Sequence, residues 1–245
     1  MRGRTLGWIL VVVFMFDTRL EASCIESAQL AHSAVSITRY FDEKERAASS
    51  GVIGARGTAW FLSPATMVTA EHVSAGMKLT TQDWRALDVR HGDDGRSVAA
   101  RVAYVTGSGA EKLAVIELQS EFPGARRAPI RTAPLTPEDQ VVTIAYRDGR
   151  PRVVSGRFVK YGNDKTFAGA ALLEMFDGDD RLAVDHGASG APVFDCEGRV
   201  AAVVSIVITQ NVWLPTGKMR VSTAWGTPNV VSVPIREMTE ALQVR

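Results

Sequence analysis

From residue 34 onward the apolar positions fall in short runs, broken by glycine, proline and charged turns, without the long one-sided stripe of an amphipathic helix. That pattern predicts strands. Runs are expected at 34–40, 52–62, 66–70, 77–80, 84–90, 98–105 and 113–118, and again at 141–146, 152–159, 167–176, 199–209, 221–224 and 230–233. Residues 42–50 are charged, then small, and read as an exposed loop. Ser63-Pro64-Ala65, Gly92-Asp93-Asp94-Gly95 and Gly107-Ser108-Gly109 are turn signals, and Asp148-Gly149 marks a hairpin. Glycines within 52–62 suggest a bulge or a barrel corner. Only 235–244, at the end, has helical spacing.

Two strand series separated by a proline-, arginine- and alanine-rich stretch predict an all-β chain of two six-stranded antiparallel β-barrels with a short C-terminal helix. The expected division is a barrel at 24–121, a linker at 122–134 and a barrel at 135–245. A single β-sandwich is the competing architecture. A chain of 245 residues is long enough for two buried cores.

The N-terminus changes the picture. Arg2 and Arg4 precede an apolar run at 6–16, then a polar stretch and Ala22-Ser23. This is the pattern of a secretory signal peptide over 1–23, with cleavage near Ala22. The run is shorter than the ~20 residues of a membrane-spanning helix, so no stable membrane insertion is expected after cleavage. Glu21 stands where bacterial lipoprotein signals prefer leucine, which argues against lipidation of Cys24. The expected location is periplasmic or extracellular. In that oxidising setting the two cysteines, Cys24 and Cys196, are expected to pair. A net charge of +1 gives no electrostatic footprint for nucleic acid. The histidines (His32, His72, His91, His186) are scattered and no Cys/His cluster exists, so no metal site and no cofactor are expected.

Candidate chemistry lies in two stretches. Gly187-Ala188-Ser189-Gly190-Ala191-Pro192-Val193-Phe194 places a serine among small residues, where a sharp turn can expose a hydroxyl beside backbone N–H groups. Thr69-Ala70-Glu71-His72-Val73 ends a strand in a turn that holds a histidine. The histidine belongs to the first strand series and the serine to the second, so the two would meet in a cleft between barrels.

These two stretches resemble the T-A-x-H-[CV] and G-D-S-G-G-P motifs of the trypsin-like (chymotrypsin-fold) serine proteases, and are nearest to the few-cysteine bacterial group of glutamyl endopeptidases and periplasmic heat-shock proteases. The resemblance runs from about Ala34 to the C-terminus. It implies that Ser189 is the nucleophile, that His72 is the general base and then acid, and that the N–H groups of Gly187 and Ser189 form an oxyanion hole. An α/β-hydrolase does not fit: no histidine follows Ser189, and Ala191 replaces the last glycine of G-x-S-x-G.

The family's aspartate directly precedes an apolar quartet. Here Lys112 precedes Leu113-Ala114-Val115-Ile116, and Glu111 lies one residue earlier. A one-residue offset on a strand points to the opposite face, so Glu111 serves as the acid only if a bulge re-aims it. Asp93 and Asp94 are other candidates, although their Gly-flanked turn reads as a solvated loop. Without an acid, a Ser–His pair remains. Ala188 replaces the aspartate that pairs with a freed amine in animal enzymes, so that activation switch is not expected.

The resemblance places the substrate pocket at Ala183, Ser205 and Val207. Ala183 stands where Arg/Lys-specific members carry aspartate, and 205–207 lacks the histidine of glutamyl endopeptidases. His186 reads as structural or exposed. A small or apolar residue before the scissile bond of a polypeptide is expected. The function implied is an exported serine endopeptidase. The competing reading, prompted by Lys112, is a protease-like binding protein that kept the fold and lost catalysis.

Overall fold

Strands facing solvent on one side alternate inward apolar and outward polar residues, whereas strands that also face the other barrel, such as Pro192–Asp195, are buried along their length. On Arg85–His91, a strand of the first kind, Leu87 and Val89 are fully buried while Ala86 and Arg90 are exposed. The computed structural model describes residues 24–25, 30, 32–92, 94–107, 112–147, 149–163, 165–176, 184, 187–214, 217–222, 228–236 and 238. The segment 1–23, and with it the expected signal peptide, lies outside these residues, as does most of the helix expected at 235–244.

Six antiparallel strands form the first barrel: β1 (Ala34–Tyr40), β2 (Gly54–Ser63), β3 (Thr66–Ala70), β4 (Arg85–His91), β5 (Asp94–Thr106) and β6 (Leu113–Leu118), closed in the order β1-β2-β3-β6-β5-β4. The second barrel contains β7 (Gln140–Arg147), β8 (Arg150–Tyr161), β9 (Ala171–Phe176), β10 (Pro192–Asp195), β11 (Val200–Val207) and a last strand, β14 (Val230–Pro234). Its order is β10-β11-β14-β9-β8-β7. A two-stranded ribbon, β12 (Thr209–Leu214) and β13 (Gly217–Ser222), stands apart from both. The all-β, two-barrel expectation is met, and the single sandwich is excluded.

Three large apolar clusters among the described residues organise the packing, beside a small one of Ala170, Leu172 and Val231. Ile37, Phe61, Met67 and Leu87 belong to the cluster that fills the first barrel, and Phe158, Leu173, Met175 and Val204 to that of the second. The third is the seam. Trp60, Val68 and Leu113 of the first barrel meet Ile144, Tyr146, Phe194 and Val203 of the second, all nearly inaccessible to solvent. Residues 122–134 are largely exposed but anchored at points: Phe122 is buried in the first barrel's core, Ala128 in the seam, and Ile130 bridges to Val200 of β11. Cys24 and Cys196 form the expected disulfide, tying the segment before β1 to the turn after β10.

The structure departs from the pattern in several places. Residues 42–50 are not loop throughout: Glu43–Ala48 is a helix. Its N-terminus carries a capping box, in which the Glu45 amide donates to Asp42 Oδ1 (2.7 Å) and the Asp42 amide donates to Glu45 Oε2 (3.1 Å). No strand forms at 77–80, because Met77 caps the helix Glu71–Gly76 and Lys78 then turns through a positive φ of 53°. The strand expected at 167–176 begins only at Ala171, after a turn in which the Gly169 amide donates to the carbonyl of Gly162. Asp94-Gly95 opens β5 instead of extending the turn. Strands β10 and β12 were not anticipated as separate strands. Among the described residues no helix is long and apolar enough to cross a membrane.

Candidate active site

The serine turn is built by hydrogen bonds that run in both directions from it. Within its own barrel, the Gly190 amide donates to the carbonyl of Val204 (2.8 Å), and the Ala191 amide closes the turn onto Ala188 (2.9 Å). Gly187 and Gly190 adopt φ of 99° and 90°, a region costly for any residue with a Cβ. At Gly190 a Cβ would also collide with the carbonyl of Thr58 and the hydroxyl of Thr69, so only glycine lets the turn approach the first barrel.

Thr58, fully buried on β2, is the receiving side of that approach. Its amide donates to the carbonyl of Ser189 (2.9 Å), and its hydroxyl donates to the carbonyl of Gly187 (2.6 Å). The same hydroxyl accepts from the amide of Tyr146 on β7 (3.1 Å), while the Thr58 carbonyl accepts from Thr69 Oγ1 (2.7 Å). Tyr146 spans the seam at its other end too, its phenol donating to the carbonyl of Ala34 (3.2 Å). Burial pushes that phenol above its usual pKa.

The histidine comes from the other barrel. β3 runs into the one-turn helix Glu71–Gly76, whose Val73 and Ser74 are buried. The helix is pinned by the Glu71 amide donating to the carbonyl of Lys112 (2.8 Å) and by Ser74 Oγ donating to the carbonyl of Glu71 (2.8 Å). With Val73 turned inward, His72 is left on the exposed side. There it lines a cleft of about 570 Å³ together with Ser189 and Gly187. The inter-barrel meeting of histidine and serine stretches is thus present.

The hydroxyl of Ser189 donates to the carbonyl of Ser205 (3.0 Å). A bulge makes that carbonyl available: β11 pairs with β14 through Val204↔Ser232 and Ile206↔Val231, leaving Ser205 as the extra residue. Among the described residues, nothing hydrogen-bonds the His72 ring, and neither the Gly187 nor the Ser189 amide has an acceptor. Two unengaged N–H donors beside a serine hydroxyl are what an oxyanion hole requires.

Of the other anticipated positions, Glu111, Asp93, Ala183 and His186 lie outside the described residues. Asp94 pairs with His91 on the β4–β5 hairpin and does not line the cleft. Lys112 is exposed, so its charge is in water. Ser205 is buried and Val207 packs on the core of the second barrel. Among the described residues no group of three or more His, Cys, Asp and Glu could hold a metal ion. Sequence reasoning gave no role to Thr58 or Tyr146. Thr58 lay inside the quoted Gly57–Pro64 stretch, but nothing local marks a strand threonine as the latch for a loop 129 residues away.

The family model of the trypsin-like peptidase domain matches residues 57–203, which include both the histidine and the serine stretches. No curated protein matches the sequence. Among solved structures, the active form of the Rv3671c protease from M. tuberculosis is similar at 19% identity, covering 88% of this chain and 82% of its own, with a TM-score of 0.58. Its inactive form is similar at 18% identity, covering 89% and 90%, with a TM-score of 0.55. Deg5 is similar at 14% identity, covering 87% and 88%, with a TM-score of 0.58. At such identities the likeness extends to the fold. With the domain match over more than half its length, the chain belongs to the trypsin-like peptidase family.

Proposed function

We propose that this protein is an exported serine endopeptidase acting through Ser189 and His72. The observation that carries the reading is the shared cleft: a serine from one barrel and a histidine from the other line it with Gly187. In this mechanism the Ser189 hydroxyl leaves the Ser205 carbonyl by rotation about χ1. It attacks the peptide carbonyl and gives its proton to His72. The oxygen that gains charge is held by the Gly187 and Ser189 amides. His72 then protonates the departing amine, and water, deprotonated by His72, releases the acyl group.

The third member is Glu111, Asp93 or none. The exposure of Lys112 supports a working pair, because a solvated ammonium opposes the imidazolium less than a buried one would. A Ser–His pair without an acid is slower by up to about 10⁴. The N-terminal signal pattern and the disulfide support export. For the residue before the scissile bond, the absence of a charged side chain at Ala183, Ser205 and Val207 supports a small or apolar preference.

The test is cleavage of an unfolded protein such as casein by the disulfide-bonded chain, with Ser189→Ala and His72→Ala alongside. Cleavage lost in both variants is expected. Cleavage that survives either one refutes the assignment. A second reading, a binding protein without catalysis, draws on the Ser189 bond to Ser205 and on the His72 ring without a carboxylate partner among the described residues. It predicts a folded protein that cleaves nothing.

A further inference from the structure

Single exposed apolar side chains are ordinary on a protein surface, so their placement matters more than their presence. Among the described residues, the two most exposed large apolar side chains are Ile53, at 67%, and Tyr40, at 63%. Both line the cleft that holds His72 and Ser189. They sit at adjoining strand ends: Tyr40 ends β1 opposite Gly54, and Ile53 immediately precedes Gly54, its carbonyl accepting from the Phe41 amide (2.9 Å). At Gly54 a Cβ would strike the carbonyl of Arg39, so β1 and β2 approach closely beneath these two side chains.

The direction of the cleft decides what this wall can contact. The acyl carbonyl must lie against the Gly187 and Ser189 amides, and the departing amine must lie within reach of His72. Apart from Gly187 and Ser189, the cleft wall, Thr38, Tyr40 and Ile53 included, comes from the first barrel, the one that carries His72. A substrate segment there lies on the histidine side of the scissile bond and therefore belongs to the leaving group. Arg56 also borders the cleft, but it is engaged in an interaction of its own.

We propose that Tyr40 and Ile53 form an apolar subsite for the leaving-group half of the substrate, selecting aliphatic or aromatic side chains immediately after the scissile bond. This inference rests on the serine-hydrolase reading. Apolar contact with a wall that is otherwise wet gains by removing exposed surface from water, and the gain exists only for substrates with a matching side chain.

Acyl transfer to added amines isolates this half of the site. An N-acetyl-alanine ester acylates Ser189 with loss of its alcohol. An amino-acid amide then attacks the acyl carbon, forming the C–N bond as the C–Oγ bond breaks. The amine proton passes to His72 and from it to Oγ. The readout is the ratio of aminolysis to hydrolysis, which is internal to one acyl-enzyme. Amides of leucine, phenylalanine, glycine, aspartate and lysine are compared, alone and as the second residue of dipeptide amides.

Leucine and phenylalanine are expected to partition about tenfold better than glycine, with aspartate and lysine no better than glycine. In the Tyr40→Ser/Ile53→Ser double variant, both exposed positions, that advantage should fall to near unity. Equal partition of all amides, or a preference for aspartate, overturns the proposal, and so does an apolar preference that survives the double variant. No turnover of the ester would instead refute the hydrolase reading and take this inference with it.

Discussion

Thr58 on the histidine barrel donates its hydroxyl to the carbonyl of Gly187 on the serine barrel at 2.6 Å, two residues before the candidate nucleophile. With the Thr58 amide on the carbonyl of Ser189, this side chain makes one barrel part of the other's serine turn. The geometry of the site is therefore a property of the seam. Thr58→Val keeps the shape and removes the hydroxyl, leaving the Gly187 carbonyl and the Tyr146 amide without this partner. Each buried group so orphaned costs about 1–3 kcal/mol. The expected result is a lower Tm and a kcat reduced by roughly tenfold or more, with Thr58→Ser close to the parent in both. Equal behaviour of the two variants would mean that the hydroxyl does not position the turn.

Position 112 lies across from Glu71, one residue from His72, through the bond between the Glu71 amide and the Lys112 carbonyl. Lys112→Asp removes a positive charge near the base and puts a carboxylate where the family has one. We expect kcat/KM to rise by about tenfold or more, a fraction of the ~10⁴ that a well-placed acid is worth. A fall would show that the position is not directed at the histidine.

The disulfide joins residues 172 apart in sequence and links the segment before the first barrel to a turn of the second. Chain-entropy arguments give it roughly 5 kcal/mol as an upper bound. Cys24→Ser with Cys196→Ser should lower Tm by as much as 10–20 °C, to be measured by calorimetry with reduced parent protein as control, roughly as expected for a domain pair of this size. An unchanged Tm would show that the seam alone holds the segment.

Acid should loosen the end of β1. Arg39, 5% exposed, donates two hydrogen bonds to Glu45, at 2.7 and 2.8 Å, and so holds its carboxyl below the usual range. A carboxylate depressed in the folded state contributes stability above its unfolded pKa and loses that contribution as pH falls through the folded value. Stability should therefore decline as pH drops below about 4.5. Glu45→Gln should be less stable at neutral pH and decline less steeply over the same window. Parallel acid profiles would rule out this pair as a contributor.

The barrels were legible because their strands are short apolar-rich runs bounded by turn residues, buried nearly throughout in β1 and β6 and alternately in β4, and all three appear almost where those runs stand. The helix Glu43–Ala48 was legible in principle, since Asp42 and Glu45 stand at capping-box spacing, but its charged surface looked like loop. The turn at Met77–Lys78 was not legible. Lys78 is drawn out of the strand pattern by contacts far along the chain, its Nζ donating to Ser49 Oγ (2.6 Å) and lying 4.5 Å from the centre of the Phe41 ring. The same holds at the site. Ser189 and His72 sit in recognisable local motifs, whereas the Thr58 latch exists only once the two barrels are packed and the Ser205 bulge only once β11 pairs with the distant β14.

The central claim is that Ser189 is a nucleophile activated by His72. Its most direct test is intact-mass and peptide mass spectrometry after reaction with a fluorophosphonate. The account predicts a single adduct, on the peptide bearing Ser189, that is lost in Ser189→Ala and in His72→Ala while both variants stay folded. An absence of adduct on well-folded parent protein, or an adduct on Ser189 that forms equally fast without His72, would contradict it.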